Sequence, residues 1–114
     1  GAAFQTVLDV YDVAAGSLSR VADVSQASGR TDYPSELLVV ADRPFVSLGQ
    51  TVYEVNVAGG GVRQVSGAGE TVLGNVIGRI TPVGLRLAYV KSEAVAEGGI
   101  TRYVKQLIAT TVLP

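Results

Sequence analysis

"AYVKSEAVAEGGITRYVKQLIA", residues 88–109, decides the fold. Gly98-Gly99 tolerates the positive φ of a two-residue hairpin turn, and β-branched and aromatic residues flank it on both sides. Folding about that turn sets Glu97 opposite Ile100, Glu93 opposite Val104, Val90 opposite Leu107 and Tyr89 opposite Ile108. The last two pairs fall on opposite faces, so the base of the hairpin is apolar on both sides. One face enters the domain's own core, and the other is expected to meet a neighbouring subunit. Lys91, Glu93, Glu97, Arg102 and Lys105 crowd the outer half, which suits a solvated projecting arm.

Upstream of the hairpin, period-2 alternation recurs and no window sustains the 3,4,7 apolar spacing of a helix. "FQTVLDVYDVA" (4–14) alternates, with Val7, Asp9, Tyr11 and Val13 on one face and Leu8, Val10 and Asp12 on the other. "SLSRVADVS" (17–25) reads as a short strand in preference to one helical turn. "QASGRTDYPS" (26–35) gathers Ser, Gly, Asp and Pro and reads as the longest exposed loop. "ELLVVA" (36–41) is a continuous apolar run and predicts a strand covered on both faces, broken by Asp42-Arg43-Pro44. "QTVYEVNV" (50–57), "VRQVS" (62–66), "NVIGRIT" (75–81) and "GLRLAYVKSEAV" (84–95) follow, and "ITRYVKQLIATTVL" (100–113) closes the chain. Eight or nine short strands with frequent turn signals predict a single all-β domain, an antiparallel β-sandwich or a jelly-roll-like small barrel.

Composition excludes much chemistry. The 114 residues contain no Cys and no His, which removes disulfides, thiolate sites, the commonest general base and the commonest metal ligand. Net charge is -1, yet residues 1–60 carry seven acids and three bases while residues 61–114 carry three acids and six bases. An acidic front and a basic back suit packing against copies of the same chain. Dispersed bases without clustered aromatics do not make a nucleic-acid surface. No apolar run has the length of a membrane span and no signal peptide opens the chain, so membrane insertion is not expected; a mature domain that had lost its leader would read the same way. A hydrophobic fraction of 47% is high for a small domain, and part of it is expected to lie under partner subunits.

No motif carries catalysis. "GAGETVLG" (67–74) has the glycine density of a phosphate loop, but Asn75-Val76 stands where Lys-Ser/Thr would follow, so turns or bulges are the expectation. Asp9 and Asp12 fall on opposite faces of their strand, and Glu93 and Glu97 lie beside Lys91 and Arg102, so neither pair reads as an acid/base couple. No serine has a histidine to activate it. Asp32 with nearby carbonyls lacks the spacing of a calcium loop. The expectation is a non-enzymatic protein without cofactor or metal. Its contact residues are Tyr89, Val90, Lys91, Glu93, Arg102, Tyr103, Lys105 and Leu107 on the hairpin and Arg30, Asp32 and Tyr33 in the 26–35 loop, with the two termini.

Two resemblances bear on function. "LLVVA" (37–41), "GQTVYEVNVAGGGVRQVSGAGETVLGNVIGRITPVGLRLAYV" (49–90) and "GGITRYVKQL" (98–107) together resemble the periplasmic β-domain of PilP-type pilus-assembly lipoproteins and the homology-region domain of type II secretion. That resemblance implies a periplasmic scaffold docking onto a secretin. It rests on turn glycines within residues 37–107, and the first 35 residues do not resemble the proline-rich tether of those proteins. As a whole the chain, short, free of Cys and His and rich in Ala, Val, Gly and Thr, resembles the capsid cement and decoration proteins of tailed phages. This second resemblance is the preferred one. It assigns no residue a role, and it implies a virion protein whose partners are copies of itself and a larger shell of major capsid protein.

Overall fold

The computed structural model describes residues 3–113, with side chains described outside 93–95, 97, 101–107 and 109. Nine strands and one short helix are described: β1 (Val7–Asp12), β2 (Ser17–Asp23), α1 (Val24–Ser28), β3 (Pro34–Val40), β4 (Arg43–Leu48), β5 (Thr51–Val55), β6 (Val62–Gln64), β7 (Thr71–Thr81), β8 (Gly84–Glu97) and β9 (Ile100–Leu113). Every pairing is antiparallel between chain neighbours, giving a β1-β2 hairpin, a four-stranded β3-β4-β5-β6 sheet and a three-stranded β7-β8-β9 sheet. The all-β sandwich expected from the alternation is the fold.

The four-stranded sheet lies in the middle because its two inner strands, β4 and β5, are apolar on both faces. Phe45 and Val52 face the β7-β8-β9 sheet and pack with Val72, Val76, Leu85, Leu87, Tyr89 and Leu113. Val46, Leu48, Tyr53 and Val55 face the other way and pack with Ala22 and Val24 at the β2–α1 junction. Two cores back to back on one sheet explain why β4 and β5 are buried at almost every position.

Three expectations are corrected. First, residues 26–35 are not one loop. The Asp23 carboxylate accepts the Gln26 amide at 3.0 Å, capping α1, and Gly29 ends it at φ 71 with its amide on the Ser25 carbonyl. The loop is left with residues 29–33, and β3 already starts at Pro34. Second, β3 is an edge strand covered on one face only. Leu37 and Val39 are 55% and 58% exposed, whereas Leu38 and Val40 pack on the core. Third, Arg43 and Pro44 open a strand instead of breaking one. The turn is Ala41-Asp42, both at positive φ, and Pro44 sits near the start of β4, where a missing amide costs little.

The long hairpin turns at Gly98-Gly99 with φ of 60° and 77°, and Glu97 faces Ile100 as expected. The other three expected pairs are displaced by one residue. Val95 pairs with Tyr103 while Ala96 pairs with Thr101, so Arg102 is an extra residue in β9 and forms a bulge. Beyond it Glu93 pairs with Lys105, Val90 with Ile108 and Tyr89 with Ala109. One residue of slip exchanges the faces of a strand, so Ile108 turns away from the core.

Two hairpins project from the body. Residues 9–20 are all exposed, and β7 pairs with β8 only as far as Ser92, leaving the rest of the β8-β9 hairpin two-stranded. The radius of gyration is 16.0 Å, against about 13 Å for a compact chain of this size.

Candidate interaction surface

The outer face of the β7-β8-β9 sheet follows from the register. The core side takes Leu85, Leu87 and Tyr89 from β8 and Leu113 from β9, so Arg86, Ala88, Val90, Ile108, Thr110 and Val112 point outward. From β7, Ile77 and Arg79 join them opposite Ala88 and Arg86. Ile77, Ile108 and Val112 are 66%, 81% and 42% exposed, forming an apolar face left uncovered among the described residues. Arg79 lies directly across from Arg86, a like-charged pair that is unfavourable in isolation, and neither enters an ion pair among the described residues.

The residues singled out in the sequence divide between this face and the interior. Val90 lies on the outer face, half-buried between its neighbours. Tyr89 is 6% exposed and donates its hydroxyl to Glu70 Oε1 at 2.9 Å. Lys91 Nζ lies 2.6 Å from Glu70 Oε2, and the Gly67 amide reaches Glu70 Oε1, so Glu70 locks the 67–70 turn onto β8. Lys91 holds the Glu70 carboxyl below its usual range, while burial and then Glu70 push the Tyr89 phenol up to about 12. The side chains of Glu93, Arg102, Tyr103, Lys105 and Leu107 lie outside the described residues, as do the terminal Gly1, Ala2 and Pro114.

The 29–33 loop is pinned to the body. Arg30 Nε meets Asp32 Oδ2 at 2.6 Å and Arg30 Nη1 donates to Thr51 Oγ1 at 3.2 Å. Tyr33, 64% exposed, stacks edge-on to Phe4 with ring centroids 5.1 Å apart. Sequence reading missed Ile77, Arg79, Arg86, Ile108 and Val112 as surface residues. Their signal was the apolar and basic content of alternate positions in three adjacent strands, legible only once the inner face was known.

A second cluster stands beside an open groove of about 460 Å³ lined by Arg43, Glu54, Asn56 and Arg63. Arg43 grips Glu54 with Nε at 2.6 Å and Nη2 at 2.9 Å, and Arg63 Nη2 adds 2.6 Å. Arg43 first, then Arg63, holds the Glu54 carboxyl below its usual range. A carboxylate engaged on both oxygens and so held is a weak base, and the cluster reads as a clasp across β4, β5 and β6. Among the described residues no group of three or more His, Cys, Asp or Glu is placed to hold a metal, and no helix is long and apolar enough to cross a membrane.

These clusters make stability depend on pH at both ends. Glu54 and Glu70 have folded pKa values below 4.5, so their stabilisation is present above that pH and is lost as pH falls through the lower folded values. Urea midpoints are expected to drop below about pH 4.5, and Glu54→Gln is expected to cost about 1–3 kcal/mol at pH 7 and flatten that drop. An unchanged acid limb in the variant would remove Glu54 from the account. Tyr89 is protonated in the folded chain beyond pH 10, where an ordinary phenol ionises, so stability falls from about pH 10 toward 12. Ultraviolet titration should show a late-ionising phenol that Tyr89→Phe abolishes.

Comparison of the chain with protein-family models, with curated proteins and with solved structures gives no match.

Proposed function

We propose that this chain is a non-enzymatic structural subunit that works by burying surface in a repeated assembly, and that the assembly is a virion in which it serves as a capsid cement or decoration protein. The observation that carries the assembly reading is surplus surface. The accessible area is 7111 Å², against about 5,900 Å² expected for a folded monomer of this mass, an excess of roughly 1,200 Å². That excess, carried by one chain, exceeds the roughly 800 Å² that each partner buries in a standard interface. It accompanies the two projecting hairpins and an uncovered apolar sheet face. Two-stranded ribbons are marginal in water by themselves, and a partner lying along them removes that weakness. Cement action needs no high affinity per contact, since many copies on one shell add through multivalency. The virion setting rests on the resemblance to phage decoration proteins.

Light scattering on the full chain, alone and mixed with candidate phage shells lacking their decoration, tests this. Shell-bound material that raises the shell's thermal stability is the expected result. A chain that ignores shells but is retained by a secretin would transfer the reading to the periplasmic scaffold. A monomer indifferent to both would end the assembly reading.

A further inference from the structure

We infer that the β1-β2 hairpin of one copy docks on the outer face of the β7-β8-β9 sheet of a second copy. The inference deepens the assembly reading and rests on it. Both surfaces lack an occupant among the described residues: residues 9–20 are exposed throughout, so the hairpin does not cover its own sheet. Their chemistry is complementary. Tyr11 pairs across the hairpin with Leu18, and the two are 60% and 67% exposed, giving an apolar rung on a ribbon end. Ile77 and Ile108 are the most exposed apolar side chains of the receiving face, flanking the small Ala88 and Thr110. A two-stranded ribbon spans about 5 Å between strand axes and a three-stranded face about 10 Å, so the ribbon fits within the width of the face.

Charge sets the orientation. The Asp9 carboxylate is paired with Arg20 and that of Asp23, at the base of the hairpin, caps α1, which leaves Asp12 as the outer carboxylate without an ion pair among the described residues. Asp12 Oδ1 accepts the Ala15 amide at 3.1 Å, holding the carboxylate at the ribbon tip. Arg79 and Arg86 supply two adjacent positive charges at one end of the receiving face, and an incoming carboxylate relieves their mutual repulsion. The contact is between different patches, so copies propagate head to tail or close by reciprocal exchange.

The test uses the full chain and variants confined to exposed positions, where substitution leaves folding largely intact. One variant carries Tyr11→Thr and Leu18→Thr, and the other Ile77→Thr and Ile108→Thr. Sedimentation should show each weakening self-association at least 10-fold. An equimolar mixture should recover a one-to-one complex, because each variant keeps one intact half of the contact. Asp12→Asn, which preserves the amide-accepting oxygen, should weaken association several-fold and reduce its salt dependence. Wild type that associates while both paired variants associate equally well would overturn the docking and leave the assembly reading standing. Wild type that binds shells but never itself would do the same. A wild-type monomer inert toward shells and secretin alike would overturn both.

Discussion

Leu87→Ala is expected to cost about 3–4 kcal/mol, and Gly78→Ala is expected to reverse sign in its presence, from destabilising to stabilising. Leu87 is 0% exposed in the core between the two larger sheets and pairs across the strands with Gly78. A Cβ built on Gly78 would meet Leu87 Cδ2 at 2.8 Å and Val40 Cγ2 at 3.0 Å, so the leucine occupies the space an alanine would need. In wild type the added methyl overpacks the core by about 1–3 kcal/mol, offset in part by the roughly 0.5–1 kcal/mol that glycine costs inside a strand. Once Leu87 is truncated the methyl enters the cavity, and the contact with Val40 Cγ2, which a small shift into that cavity relieves, is all that opposes the gains. Urea unfolding of the four proteins should give a coupling of at least about 1 kcal/mol. Additivity within about 0.5 kcal/mol would mean that Gly78 and Leu87 do not share that space.

The same pair of sheets shows what was legible beforehand. Alternation revealed most strands, because a half-buried strand writes its inner and outer faces into consecutive residues. It failed at β3, where Leu37 and Val39 are apolar yet exposed, since an apolar run reports composition and not cover. It failed at β4, where Pro44 reads as a breaker although it stands near the strand's start. The α1 cap did carry a signal, Asp23 three residues before Gln26 with Gly29 closing the turn, which the strand-like residues on its N-terminal side outweighed. The bulge at Arg102 has no local signature, and it matters most for the surface. In the unbulged register Ile108 would share the core side with Tyr89; in the observed one it joins Val90 and points outward at 81% exposure. A hairpin apolar on both sides was therefore readable from residues 88–109, but which residues form its outer side was not.

Gly84→Ala is the substitution expected to do most damage to that outer face. Gly84 lies at φ 129, a region closed to side chains, and its Cβ would stand 2.5 Å from the Leu113 carbonyl oxygen. Backbone strain contributes about 1–3 kcal/mol. The carbonyl belongs to the β9 main chain, so relief requires moving the strand end that seats Leu113 in the core and Val112 on the outer face. The combined cost is expected at about 3–5 kcal/mol, a large part of the 5–15 kcal/mol by which such domains are stable. Gly98→Ala provides the control. Its φ of 60 is left-handed but nothing lies within 4 Å of the added atom, so it should cost only about 1–2 kcal/mol. Chemical denaturation of both variants separates strain from collision. Equal losses would mean that Leu113 does not close over Gly84, whereas a larger loss at Gly84, with faster amide exchange at the end of β9, ties that glycine to the placement of Val112 beside the arginine pair.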